Sequence, residues 1–90
     1  MGTALIKIKL MPTSPEVDLE KIKTNAQIVV EEKGGKKCVF EEEPIAFGLT
    51  AVILFFEIDE SQELEPIEEN LKKIENVNSA QVIDMRRAFG

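Results

Sequence analysis

The chain has no histidine, no tryptophan and no tyrosine, and a single cysteine in ninety residues. Without histidine it lacks the commonest general base, the usual partner of a serine or cysteine nucleophile, and the commonest metal ligand. That argues against hydrolase and metalloenzyme chemistry, and no cofactor or metal site is expected. A lone cysteine, Cys38, excludes an internal disulfide and cannot build a thiolate metal site by itself. It lies in the apolar segment KCVFE, where a buried structural thiol is expected rather than a reactive one. Long apolar runs are missing as well: the longest, Ala51 to Phe56, is far too short to span a bilayer. The N-terminus shows no charged start followed by an apolar stretch and a small-residue cleavage site, so a cytoplasmic protein is expected. Basic residues are in the minority, eleven against seventeen acids, for a net charge of −6. Nucleic-acid binding normally needs a basic surface to displace counterions from phosphates, so direct contact with nucleic acid is not expected. A basic protein partner fits better, because complementary fields speed encounter.

What is present is the composition of a compact chain, 43% apolar and 31% charged. A length of 90 residues leaves no room for a second core, so residues 1–90 are expected to form a single domain. Residues 3–11 alternate, with Ala4, Ile6, Ile8 and Leu10 on one face, which predicts a strand buried on one side. Pro12 to Pro15 make a turn, and Asp18 is placed to cap a helix over 18–33 whose apolar arc is Leu19, Ile22, Ala26, Val29 and Val30. The Gly34–Gly35 pair stops that helix. A second strand covers 36–43, with Cys38 and Phe40 on one face and Val39, Glu41 and Glu43 on the other. A third, Leu49 to Ile58, is apolar on both faces and reads as central: Val52, Leu54, Phe56 and Ile58 toward the helices, Leu49, Ala51, Ile53 and Phe55 outward. A helix fits 63–75, with Pro66 tolerable in its first turn and Glu68–Lys72 and Glu69–Lys73 as i,i+4 pairs on the wet face. Residues 77–87 make a last strand. The order predicts an α+β, ferredoxin-like βαββαβ fold: a four-stranded antiparallel sheet with two helices on one face.

Few segments depart from this pattern. Gly34–Gly35 ends a helix instead of opening one, so there is no phosphate cradle and the chain is not expected to hold a nucleotide itself. The run Glu41-Glu42-Glu43 lies on a strand, whose side chains alternate, so the three acids do not converge on one ion; a charged edge that blocks aggregation is the expected role. In PIAFG, residues 44–48, a proline and a glycine bracket Phe47 where the strand pattern breaks. Residue chemistry alone favours a ring that caps the core. At the C-terminus Arg86, Arg87 and Phe89 form a basic and aromatic tip on an acidic chain, and taken alone such a terminus reads as frayed.

The segments KIKLMPTSPEVDLEKI, EEEPIAFGL and NVNSAQVIDMRRAFG, and essentially the whole chain with them, resemble the archaeal elongation factor 1-beta family. The chain also resembles the C-terminal exchange domain of the eukaryotic factor. The resemblance implies the ferredoxin-like fold already reached, no enzymatic chemistry, and the exchange of GDP for GTP on elongation factor 1-alpha during translation. It further implies that Phe47 occupies the position of an aromatic anchor into that partner. Near the end the eukaryotic pattern has Met, Gln and Lys, the Lys entering the partner's Mg²⁺ site; Met85, Arg86 and Arg87 fall at those three positions. Arginine for lysine replaces a compact ammonium with a planar fork. The chain then continues through Ala88, Phe89 and Gly90, with Phe89 a further candidate contact. A free monomer is expected.

Two other readings share the layout. An ACT-like regulatory domain would bind a small molecule and pair with a copy of itself through its outer sheet face. An RNA-recognition module would stack bases on aromatics of the first and third strands, where this chain has Lys7, Lys9, Ile53 and Phe55, and it would need the opposite charge.

Overall fold

The computed structural model describes residues 2–88. Its elements run β1 (Thr3–Pro12), α1 (Leu19–Glu32), β2 (Lys36–Pro44), β3 (Thr50–Asp59), α2 (Glu65–Lys72) and β4 (Val77–Ala88). The strands lie in the order β2-β3-β1-β4 with every neighbouring pair antiparallel, which is the expected ferredoxin-like sheet.

Register explains the core. Ala4, Ile6, Ile8 and Leu10 sit opposite Ile58, Phe56, Leu54 and Val52, so the apolar halves of two alternating strands share one face. Ile22, Ala26 and Val30 of α1 and Ile67 and Leu71 of α2, spaced four apart, close over that face. Each fully buried aliphatic side chain contributes about 1.5–3 kcal/mol. Cys38 and Phe40 pack against the same cluster from β2, half-buried. Burial pushes the Cys38 thiol up, with Glu31 adding to the effect, so it is a poor nucleophile near neutral pH.

Local chemistry sets the ends of α1. The Asp18 carboxylate accepts from the Glu20 N–H at 3.0 Å, the expected N-cap. Gly34 takes φ 94°, a left-handed stop. Gly35 serves differently: it is buried, and a Cβ there would overlap the Val30 side chain and crowd Phe56. Lys23 ties the helix to β2, its ammonium 2.8 Å from Glu42 and 2.9 Å from Glu20.

The outer face of the sheet carries no helix, yet Ala51 and Ile53 are 0% and 4% exposed. Lys9 and Glu41 flank Ile53, and Glu43 flanks Ala51, so their long stems cover the strand while their charged heads stay wet. Phe55 is half-buried beside Lys7, whose Nζ lies 5.4 Å from the ring centre. Leu49 falls outside β3, half-buried in the preceding loop. The acidic run alternates as expected on an edge strand, Glu42 toward α1 and Glu43 toward Lys9 on the other side at 4.0 Å.

Three further details differ from the sequence reading. The second helix covers Glu65–Lys72 instead of 63–75, because Lys73 and Ile74 bond back three residues, to Asn70 and Leu71, and Asn76 turns the chain at φ 71°. The two i,i+4 pairs are not formed: Glu69 pairs with Lys72 at 3.6 Å, while Glu68 points at β4 and accepts from the Val82 N–H at 3.4 Å. The last strand reaches Ala88 and is bulged at Ile83, since Lys7 faces Asp84 but Ile8 faces Val82. No helix among the described residues is long and apolar enough to cross a membrane.

Candidate partner-binding site

The antiparallel sheet gives the molecule two ends. The β2–β3 loop lies where β1 finishes, and the end of β4 lies where β1 begins.

At the first end, residues 44–49 close on themselves. The Ile45 N–H donates to the Leu49 carbonyl at 2.7 Å, and the Leu49 N–H donates to the Ala46 carbonyl at 3.3 Å. Between them Phe47 takes φ 63°, ψ 28°, followed by Gly48 at φ 77°. A non-glycine residue in the left-handed region costs about 1–2 kcal/mol. Pro15 sits just under Gly48, with its Cβ in ordinary contact range of any side chain placed there. The Phe47 ring is 95% exposed. It caps no core, which overturns the expectation from residue chemistry: the ring stands at the apex of the loop with its backbone strained and its surface in solvent.

At the other end, Met85, Arg86 and Arg87 come together opposite Ile6, Leu5 and Ala4. Met85 lies on the helix-bearing face but is 62% exposed. Arg86 and Arg87 project to opposite faces of the strand, and each has an intramolecular carboxylate. The Arg86 Nε donates to Asp84 at 2.9 Å and the Arg87 Nε to Glu60 at 2.7 Å. Phe89 lies outside the described residues.

The two groups are not brought together. Ala4, beside Arg87, is eight residues along β1 from Pro12, which is about 27 Å of strand, and Phe47 lies beyond that. Sequence reasoning missed Glu60, and no motif marks it: it is 27 residues from Arg87, and only the bulged register of β4 makes them neighbours. Its position is set by the turn after β3. There the Asp59 carboxylate accepts from the Ser61 hydroxyl at 2.6 Å and the Ser61 N–H at 2.8 Å, bonds that hold the Asp59 carboxyl below its ordinary value.

A family model described as the EF-1 guanine nucleotide exchange domain matches residues 5–88 of the chain. An elongation factor 1-beta from Methanococcus maripaludis is 42% identical over 86 residues, covering 94% of this chain and 97% of that one. The elongation factor 1-beta of Methanocaldococcus jannaschii is 40% identical over 89 residues, 98% of this chain and 100% of that one. That of Methanothermobacter thermautotrophicus is 41% identical over 88 residues, 97% and 98% of the two chains.

Proposed function

The chain belongs to the EF-1 guanine nucleotide exchange domain family, and from that premise we propose that it drives GDP off elongation factor 1-alpha so that GTP takes its place. Its role is guanine-nucleotide exchange in translation elongation. The finer reading has residues 1–90 acting as one domain on that GTPase as a cytoplasmic monomer, and the contact with the GTPase rests most directly on Phe47. A 95% exposed aromatic on a strained backbone has no use inside this fold, and it fits an anchor filled by a partner's pocket.

Exchange needs no covalent step. A factor that binds the empty GTPase better than the GDP-bound one must weaken GDP by the same factor. A thousandfold weakening corresponds to a coupling of about 4 kcal/mol. An aromatic anchor and a cation near the metal that bridges the phosphates supply forces of that size. Phe47 is the proposed anchor at one end; Met85, Arg86, Arg87 and Phe89 are the proposed contacts at the other, with Arg87 repelling Mg²⁺. The ACT-like reading is not favoured by the family match. The test is release of a fluorescent GDP analogue from elongation factor 1-alpha. The chain should accelerate release to a saturating limit, and Arg87→Ala should lower that limit more in Mg²⁺ than without it. A release rate that the chain leaves unchanged would sink the reading.

A further inference from the structure

Arg87 does not stand alone at the tip, and its neighbourhood is built around the carboxylate more than around the arginine. The Glu60 N–H donates to the Gly2 carbonyl at 3.0 Å. The Glu60 carboxylate lies over Gly2 so closely that a Cβ on Gly2 would stand 2.8 Å from Oε2. The Asp59–Ser61 bonds fix the turn immediately beside it. The side chain of Glu60 keeps 30% of its surface in solvent, that of Arg87 73%. The backbone of Glu60 is anchored, while most of the Arg87 side chain is free to meet a second molecule. The Glu60 carboxylate grips only Nε, and the terminal nitrogens of Arg87 make no hydrogen bond to another described residue.

We propose that Glu60 is a positioning residue for exchange: it holds the Arg87 guanidinium by Nε, so that the terminal amino groups are presented to the partner in one orientation. An exposed ion pair contributes little to stability, so losing it should leave the fold intact. Arginine suits this arrangement and lysine does not. Its three nitrogens are fixed in a plane, so holding one sets the direction of the others, whereas a lysine ammonium held through one proton still rotates its remaining donors freely. The cost of ordering a long, flexible side chain is met in the free protein instead of during the encounter.

This inference rests on the proposed exchange role of Arg87, and the experiment separates the two. Maximal rates of GDP release at saturating factor are compared for wild type, Glu60→Ala, Glu60→Gln, Arg87→Ala and Arg87→Ala/Glu60→Ala. Glu60→Ala should lower the maximal rate about three- to tenfold, within the range of measured pair couplings, with little change in the half-saturating concentration. Glu60→Gln keeps an acceptor and should restore part of the loss. The double variant should be no slower than Arg87→Ala. In the isolated protein, the Arg87 Nε–H resonance should be protected from solvent exchange in wild type and lose protection in Glu60→Ala. If Arg87→Ala is slow while Glu60→Ala matches or exceeds wild type, the positioning role is wrong and the exchange role of Arg87 stands. Wild-type rates for Arg87→Ala would remove both. An Nε–H signal identical in wild type and Glu60→Ala would overturn the tether itself, whatever the rates.

Discussion

Phe47 shows how a single residue declares a role through the strain it carries. A phenylalanine at φ 63° gives up about 1–2 kcal/mol of backbone energy, and at 95% exposure the ring recovers none of it by burial. Phe47→Ala keeps the Cβ and the strain and removes only solvated surface, so folding stability should change by no more than about 0.5 kcal/mol. Affinity for elongation factor 1-alpha should fall by about 2–4 kcal/mol. Urea unfolding and calorimetric titration check the two halves; a variant that unfolds would mean the ring supports the fold after all. The bracket of Pro44 and Gly48 was legible in the sequence as a break, but the exposure was not, since a solitary Phe beside a strand is more often inside. Only the positive φ and the self-closed loop decide it. The Glu60–Arg87 pair was less legible still, because both residues read as ordinary surface charges until register joins them.

At the scale of elements, most of the fold was readable. Strict alternation in β1 and the spacing of Ile22, Ala26 and Val30 leave one sensible arrangement, and these positions are buried, while Leu19 and Val29 of the same predicted arc are half-buried at the core's rim. What could not be read were the places where backbone bonding overrides side-chain pattern: the three-residue back-bonds that end α2 early, and the bulge at Ile83. The α1–β2 junction looked like a simple double-glycine stop, yet its two glycines do different work. Gly34→Ala meets a left-handed φ, with only the Gln62 side chain in ordinary contact at 3.8 Å, and should cost about 1 kcal/mol. Gly35→Ala drives a methyl into Val30 and Phe56 and should cost about 1–3 kcal/mol. Denaturant midpoints of the two variants test the order. Equal midpoints, or a larger loss for Gly34→Ala, would show that backbone conformation and not close approach governs the junction. Exchange activity per folded molecule should be unchanged in both, because the two glycines lead into β2, which β3 and β1 separate from the proposed contacts on β4.

The whole molecule is elongated, 42 × 21 × 18 Å, and its candidate contacts sit at the two ends of the long sheet. A partner engaging both is gripped at two points about 27 Å or more apart along β1. The separation makes the two contacts independent in a way that can be measured. Residues farther apart than about 7–10 Å with no shared neighbours usually combine additively within about 0.5 kcal/mol. Phe47→Ala should therefore raise the half-saturating concentration of factor with little effect on the maximal rate, because an anchor holds the complex without touching the metal. Arg87→Ala should do the reverse, and its effect alone should shrink when Mg²⁺ is withheld, because there is then no metal for the guanidinium to oppose. In the double variant both changes should appear together, each at its single-variant size. The measurement is a full titration of GDP release for the four proteins with and without Mg²⁺. An interaction larger than about 1 kcal/mol between the two substitutions would mean that the anchor and the tip move the partner through one shared rearrangement, and the two-point grip would have to be abandoned.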